Sequence, residues 1–256
     1  MADVDFVELE AKVRQVYRQV AEQPHATYHF EMGRALAQRL GYPDDLLTSI
    51  PESAVESFAG VGYFFDLADL QPGEAVIDLG SGSGMDTLIA AGLVGPAGRV
   101  VGVDFTLEQL TKARRLAAQV SVDQVEFRTG RIDRLPADSE SFDCAISNGV
   151  INLSPDKQRV FAEAARVLRP GGRLAIADIV TTQQLTEAIV SNTDLWASCI
   201  GGAAQQDAYR DLIEAAGLTI KATRVNLYEF LSRQARNASV KYGVHSISLL
   251  AVKSGR

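Results

Sequence analysis

The sequence predicts an α/β fold with a doubly wound, Rossmann-like sheet, helices on both faces and an N-terminal helical lid. Short apolar runs alternate with helical patterns through the middle of the chain, which is typical of a doubly wound sheet. Three glycines at alternate positions, Gly80 to Gly84, follow the first of these runs. An acid, Asp104, ends the second run. Both features fit one nucleotide-binding βαβ unit.

The N-terminal part, residues 1–70, predicts the helical lid. Apolar residues recur at helical spacing from Phe6 to Val20, which indicates an amphipathic first helix. A second helix is expected over Glu31–Leu40, and interrupted helical turns are expected over Ser53–Leu70.

The second part, residues 71–256, predicts the core. The expected strands are 75–79, 100–103, 125–128, 142–148, 173–178, 218–228 and 244–252. The expected helices are 83–93, 107–120, 156–168 and 208–216. The tripeptide Pro170–Gly172 predicts a turn before the fifth strand, and an insert around 181–206 follows that strand.

Four residues follow the first four strands of the predicted core. They are Gly80, Asp104, Gly130 and Asn148. Because right-handed crossovers place the carboxyl ends of parallel strands at one edge, we expect these residues to lie together there. Ligands bind at that edge in open α/β sheets, so the sequence predicts a single site.

The composition is that of an ordinary soluble enzyme. The chain has 256 residues, of which 46% are hydrophobic, enough for a large core. The net charge of −7 argues against electrostatic binding of nucleic acid. Two cysteines, Cys144 and Cys199, give neither a disulfide framework nor a metal site. With no membrane-spanning run and no signal-peptide pattern, we expect a cytoplasmic protein without membrane partners.

The spacing of the glycines distinguishes between two cofactors. A dinucleotide-binding loop reads G-x-G-x-x-G, whereas here the third glycine of Gly80-Ser-Gly-Ser-Gly84 comes one residue early. Bare backbone lets a ligand approach closely, and the next helix N-terminus favours a negatively charged group. The Asp104 carboxylate can accept hydrogen bonds from both hydroxyls of a ribose. NAD binding and a glycine turn without a ligand are the alternatives.

Residues 73–203 resemble class I S-adenosylmethionine-dependent methyltransferases, closest to the arsenite methyltransferases and, more loosely, to the ubiquinone/menaquinone C-methyltransferases. The matching stretches are Ile77–Gly84, Gly102–Asp104, Phe142–Asn148, Val150–Lys157 and Arg166–Arg173. The resemblance implies S-adenosylmethionine as the cofactor. The cofactor-binding residues that it implies are Asp78, Gly80, Ser81, Gly82, Gly84, Asp104, Phe105, Ile132 and Asn148. Arg131 departs from the family, whose members often carry an acid there.

Arsenite chemistry needs soft thiolate ligands, which the family supplies from three motifs. The first motif, Gly-Cys-Gly, has Val61 in place of the cysteine, and the second, Ser-Asn-Cys, has Gly149. Only the third retains its cysteine, Cys199. One thiol cannot form a trithiolate site, so we predict methylation of a small organic molecule. Arsenite methylation through Cys199 with external thiols, and cofactor binding without methylation, are the alternatives.

Further candidates come from residues around the predicted pocket. The candidate catalytic residues are His29, Tyr17 and Asn152. His29 is the candidate general base that an oxygen or nitrogen nucleophile can need, and Tyr17 and Asn152 are candidates because they are expected beside the pocket. The candidate substrate contacts are Tyr28, Tyr63, Trp196 and Cys199, a set that suits an apolar or aromatic substrate. Packing of the lid onto the core is the competing interpretation of these side chains.

Overall fold

The structure is a computed structural model that describes residues 6–120, 122–192, 195–196, 200–231 and 233–255. In these ranges the helices are α1 (Phe6–Glu22), α2 (Arg34–Leu40), α3 (Asp44–Thr48), α4 (Glu52–Val55), α5 (Phe65–Ala68), α6 (Met85–Val94), α7 (Leu107–Val120), α8 (Lys157–Val167), α9 (Glu187–Val190), α10 (Gln206–Ala215) and α11 (Arg233–Tyr242). A 3₁₀ turn covers Ile151–Leu153. The strands are β1 (Ala75–Leu79), β2 (Arg99–Asp104), β3 (Val125–Thr129), β4 (Phe142–Asn148), β5 (Leu168–Thr181), β6 (Ala204–Gln205), β7 (Leu218–Val225) and β8 (His245–Lys253).

The strands form one mixed sheet in the order β3-β2-β1-β4-β5-β8-β7, with β6 paired to β5. Neighbours from β3 to β5 run parallel, whereas β8 runs antiparallel to β5 and β7. The predicted doubly wound, Rossmann-like sheet is therefore confirmed. The strand order reverses between β1 and β4, which is where open α/β sheets form a ligand crevice.

Apolar cores lie on both faces of the sheet, because the central strands are apolar on both sides. All five residues of β1 are buried. On one face, Val76 belongs to the same core as Leu9 and Leu36 from the N-terminal segment. On the other face, Ile77 shares a core with Phe161 of α8. The N-terminal segment thus packs on the sheet, while the domain boundary after residue 70 stays a prediction.

The prediction of a turn at Pro170–Gly172 was wrong. Leu168 already pairs with Phe142, and the pairing then shifts register before Arg173, so the tripeptide is an irregularity inside β5. The positive φ of Gly171, +80°, lets the chain make this excursion without leaving the sheet.

The helices of the N-terminal lid and the connection between β7 and β8 also differ from the prediction. α2 begins only at Arg34, because Gly33 before it has a φ of +82° that is incompatible with a helix. The short helix α3 and the mainly polar helix α11 lie where no helix was expected. Among the described helices, none has both the length and the apolarity needed to cross a bilayer.

Candidate active site

A cleft opens at the carboxyl ends of β1, β2 and β4, where the strand order reverses. The residues that line it come from the glycine loop, the ends of β2 and β4, helix α1 and the segment before α5. A crevice at this edge of the sheet is where open α/β proteins bind their ligands.

Most of the predicted cofactor residues line this cleft. They are Asp78, Gly80, Ser81, Gly82, Asp104, Phe105, Ile132 and Asn148. Gly84 is not among the lining residues. A β-carbon at Gly84 would lie 2.9 Å from the Phe127 ring, so this glycine permits close packing between the start of α6 and β3.

The glycine loop presents bare backbone and one unsatisfied hydroxyl to the cleft. Ser81 Oγ is buried and has no hydrogen-bond partner among the described residues. A β-carbon at Gly82 would meet only Gln109 Oε1, at 3.8 Å. Because a buried hydroxyl without a partner is costly, the loop fits a polar ligand that lies against it. These features agree with the S-adenosylmethionine site that the family resemblance implies.

Asp104 is held rigidly at the end of β2. Its Oδ2 accepts a hydrogen bond from the Gly82 N–H at 3.0 Å, and its Oδ1 accepts one from the Thr106 N–H at 2.8 Å. Burial raises the pKa of Asp104, and these backbone hydrogen bonds partly offset that rise. Asp104 lines the cleft, where an ionised carboxylate can accept hydrogen bonds from ligand hydroxyls. The geometry fits the predicted contact with a ribose.

Helix α1 covers part of the cleft. Its lining residues are Leu9, Glu10, Val13 and Tyr17. The Arg131 guanidinium, which also lines the cleft, pairs with Glu10 of α1 and with Asp133. The Gln109 side chain of α7 donates to the Tyr17 carbonyl at 2.8 Å. Arg131, where relatives often carry an acid, thus connects the lid to the loop after β3.

A buried polar network beside the cleft was not predicted from the sequence. Tyr42 Oη donates to Asp86 Oδ1 at 2.6 Å, and Asn148 Nδ2 donates to Asp86 Oδ2 at 3.0 Å. Asp86 and Asn148 line the cleft. Burial raises the pKa of Asp86 to about 6, and the hydrogen bonds from Tyr42 and Asn148 oppose this rise. The available signal was an acid in the first turn of the helix after the glycine loop.

Asp78 adds a second buried acid to the same region. Its Oδ2 accepts a hydrogen bond from Thr87 at 2.6 Å. Burial is the main cause that raises the pKa of Asp78 to about 8, and the negative charges of Asp86 and Asp104 add to the rise. Within the described ranges, neither Asp78 nor Asp86 forms an ion pair with a basic side chain. This part of the cleft therefore favours a positively charged ligand group.

The Asn148 amide also fixes the segment around Gly62. Its Oδ1 accepts hydrogen bonds from the Val61 and Gly62 N–H groups, at 2.7 and 3.3 Å. Its Nδ2 also donates to the Gly62 carbonyl at 3.0 Å. Asn148 thus fixes the backbone of Val61 and Gly62. Its contact with the cofactor stays a prediction.

The positions of the first two expected cysteines face each other. Val61 is buried, and a β-carbon at Gly149 would lie 3.2 Å from Val61 Cγ1. Cys144 is fully buried, and burial raises the pKa of its thiol to about 12. Cys199 lies outside the described residues. Among the residues that the structure describes, no group of three or more His, Cys, Asp or Glu side chains is arranged to hold a metal ion.

Among the candidate catalytic residues, only Tyr17 lines the cleft. The His29 ring packs edge-on against Phe30, with 4.7 Å between the ring centroids. Asn152 is fully buried in the 3₁₀ turn. Their catalytic roles stay predictions.

Three of the candidate substrate contacts, Tyr28, Tyr63 and Trp196, are not among the residues that line the cleft, and the fourth, Cys199, lies outside the described residues. Tyr28 Oη donates to the Gln23 carbonyl at 2.9 Å. The Tyr63 ring packs against Tyr42, with 4.9 Å between centroids. The buried Trp196 ring lies 5.1 Å from Lys157 Nζ. These contacts fit the packing interpretation, and the substrate roles stay predictions.

Nine residues of the cleft lining, from two chain segments, carry no charged side chain, and no signal in the sequence indicated them. They are Ala54, Ser57, Phe58, Ala59, Gly60, Val150, Leu153, Ser154 and Pro155. They come from residues 54–60 and 150–155, which contain no recognisable sequence motif. Only the fold brings the two segments together. This surface suits a largely apolar molecule.

Comparisons with known proteins agree with this geometry. A family described as "Methyltransferase domain" matches residues 70–217. The chain is 44% identical over 181 residues to an arsenite methyltransferase of Halobacterium salinarum, a match that covers 71% of this chain and 46% of that protein. The chain spans about half the length of the curated relatives it matches.

Two solved structures resemble the whole architecture. The crystal structure of CrArsM, an arsenic(III) S-adenosylmethionine methyltransferase from Chlamydomonas reinhardtii, superposes with a TM-score of 0.69 at 30% identity, over 88% of this chain and 74% of that one. A geranyl diphosphate methyltransferase superposes with a TM-score of 0.66 at 17% identity, over 96% and 99% of the two chains. The second similarity concerns the fold alone.

Proposed function

Because the chain belongs to the class I S-adenosylmethionine-dependent methyltransferases, in the group that contains the arsenite methyltransferases, we propose that it methylates a small organic molecule. S-adenosylmethionine, the cofactor of this family, supplies a methyl group that its sulfonium already activates. The observation that supports the choice of substrate is that Val61 and Gly149 lie next to each other, since a β-carbon at Gly149 would lie 3.2 Å from Val61 Cγ1. The family resemblance implies cysteines at both positions, and this chain has neither.

The chain's own residues fit the two ends of the cofactor. Asp104 would bind the ribose hydroxyls, and the Ser81 hydroxyl and the bare backbone at Gly82 would lie along the ligand. Asp86, and Asp78 once a cationic ligand favours its ionised form, would supply negative charge that complements the ammonium and sulfonium groups. Opposite charges in a partly dry site attract more strongly than in water.

The protein's contribution to the reaction is alignment and exclusion of water. A bound acceptor needs to be held in line with the methyl group, and water must be kept from the reacting atoms. Helix α1 covers the cleft and is tied to the core through the pair between Arg131 and Glu10. The uncharged lining that includes Phe58 and Leu153 would hold the acceptor. A largely apolar carbon skeleton therefore suits this cleft better than an inorganic oxyanion.

Arsenite methylation is the second candidate. It is favoured by the 44% identity to a protein named arsenite methyltransferase. On this chain it would need Cys199 together with external thiols, because Val61 and Gly149 have no thiol.

The test is an incubation of the purified protein with methyl-labelled S-adenosylmethionine and either a metabolite extract or arsenite with glutathione. We expect labelled organic products and no methylated arsenic by mass spectrometry. Methylated arsenic that disappears in Cys199→Ser would instead establish the second candidate. Cofactor binding without any labelled product, over a broad set of extracts, would indicate a binding role without methylation.

A further inference from the structure

The Tyr42 hydroxyl belongs to a closed hydrogen-bond triangle beside the cleft. It donates to Asp86 Oδ1 at 2.6 Å and lies 3.0 Å from Asn148 Nδ2, whose two N–H groups are shared among Tyr42 Oη, Asp86 Oδ2 and the Gly62 carbonyl. Asn148 Nδ2 also donates to Asp86 Oδ2 at 3.0 Å. Both oxygens of Asp86 are therefore held, each by a different side chain. A carboxylate fixed through both oxygens has a single orientation relative to the cleft that it lines.

Packing fixes the Tyr42 ring independently of its hydroxyl. Its centroid lies 5.1 Å from that of Phe58 and 4.9 Å from that of Tyr63, both in edge-to-face arrangements. The side chain is almost completely buried. Tyr42→Phe would thus retain the ring contacts and remove the hydroxyl, with its hydrogen bond to Asp86 and its contact with Asn148 Nδ2.

The charged and titratable groups that face Asp86 come from three other elements. Asp78 approaches from β1, Tyr42 from the segment between α2 and α3, and Tyr63 from the segment before α5. The negative charge of Asp104 acts on Asp78. None of these groups carries positive charge. Burial raises the pKa of Asp86 to about 6, and the Tyr42 and Asn148 hydrogen bonds counteract it. The carboxylate thus depends on those two donors to remain ionised near neutral pH.

We propose that Tyr42 is a positioning residue that holds the Asp86 carboxylate toward the cationic methionine end of the cofactor. Tyr42 lies in the N-terminal segment and does not itself line the cleft. Tyr42 would therefore act on the cofactor through Asp86 and not by direct contact. This inference rests on the proposed function, because it presumes that S-adenosylmethionine occupies the cleft.

The test is the pH dependence of S-adenosylmethionine binding, measured by calorimetry from pH 5 to 9 for the wild type and Tyr42→Phe. In the wild type we expect the fall in affinity to become steeper below a lower midpoint near pH 6, by up to about a further tenfold per pH unit from Asp86. Loss of the hydroxyl should move that midpoint up by about one pH unit. The affinity of Tyr42→Phe should therefore be several-fold weaker near pH 6 and close to that of the wild type at pH 9.

The matched control is Tyr209→Phe. Tyr209 Oη donates to the buried Asp178 at 2.7 Å, which is the same chemistry at residues that do not line the cleft. Its binding profile should follow that of the wild type. Asp86→Asn should lack the lower midpoint altogether, since it cannot ionise.

Two failures have different meanings. If the wild type binds the cofactor and Tyr42→Phe keeps its midpoint, or loses affinity equally at every pH, the role of Tyr42 is refuted while the proposed function stands. If the wild type binds no S-adenosylmethionine at any pH, the proposed function itself is refuted.

Discussion

Val61 fills the space that a side chain at Gly149 would need, because a β-carbon there would lie 3.2 Å from Val61 Cγ1. The two residues are 88 positions apart in sequence, yet they meet where β4 ends beside the Gly60–Gly62 segment. The resemblance to arsenite methyltransferases implies cysteines at both positions. The replacement of both by groups without sulfur removes two ligands from one location.

Restoring the two thiols should create an arsenite-binding site. In Val61→Cys/Gly149→Cys the new sulfur atoms would face each other, and we expect close to one arsenic retained per protein after gel filtration, measured by elemental mass spectrometry. Gly149 has a φ of +71°, so its replacement should cost about 1–2 kcal/mol of stability. The control is Val61→Ala/Gly149→Ala, which has the same strain without thiols. Equal arsenic retention by the control and the cysteine variant would contradict the assignment.

Asp78 should link cofactor binding to proton release. The raised pKa of Asp78, about 8, means that this group is mostly protonated at pH 7 in the free protein, and a cationic ligand favours its ionised form. We expect affinity to rise as the pH rises toward 8, with release of up to about one proton per ligand at pH 7. Calorimetry in buffers of different ionisation enthalpy measures this number. Asp78→Asn should release fewer protons, and an unchanged count would exclude Asp78 as the source.

The same carboxyl predicts the pH dependence of stability without cofactor. Because the folded state raises the pKa of Asp78 to about 8, it binds more protons than the unfolded state above about pH 4. The free energy of unfolding should therefore decrease as the pH rises from about 4 toward 8 through this group. Relative to the wild type, Asp78→Asn should gain stability along this range in urea denaturation. A difference that does not change with pH would show that Asp78 does not titrate there.

Asp104→Ala should weaken cofactor binding tenfold or more. The substitution removes the acceptor for the ligand hydroxyls and also the acceptor for the Gly82 N–H. Each hydrogen bond to an ionised group contributes about 1.5–3 kcal/mol. Asp66→Ala is the control, since Asp66 pairs with Arg224 at the surface and does not line the cleft. An unchanged Kd for Asp104→Ala would place the ribose elsewhere.

Local patterns in the sequence account for the parts of the site that were predicted. Ala75–Leu79 is a short apolar run that forms a strand buried on both faces, and the glycines after it form the loop that its spacing indicates. Asp104 comes directly after another such run. In each case the signal lies within a few residues of the group that it positions.

Contacts between distant segments account for the parts that were missed. Tyr42 and Asp86 are 44 residues apart, and no local pattern connects a tyrosine in a helical connection with an acid in the first turn of α6. The uncharged lining combines residues near Phe58 with residues near Leu153 in the same way. Only the packing of the N-terminal segment on the sheet brings these side chains together.

A side chain at Gly80 should lower the free energy of unfolding for two separate reasons, which are backbone strain and a steric clash. Its φ is +82°, which disfavours any L-residue by about 1–2 kcal/mol. In addition, a β-carbon there would lie 2.5 Å from Val150 Cγ1, so Gly80→Ala forces Val150 or the loop to move. Gly73→Ala isolates the first part, because Gly73 has a φ of +88° and nothing within 4 Å of the position of a β-carbon.

In urea denaturation, we therefore expect Gly73→Ala to lose about 1–2 kcal/mol and Gly80→Ala to lose more. Val150→Ala removes both methyl groups that the new β-carbon would strike, so Gly80→Ala/Val150→Ala should recover part of the loss. The coupling energy between the two substitutions should be about 0.5–3 kcal/mol in the compensating direction. Since the loop also lines the cleft, cofactor affinity should fall in Gly80→Ala and remain unchanged in Gly73→Ala. Equal losses of stability in the two glycine variants, with no coupling to Val150, would show that the loop is not confined by that side chain.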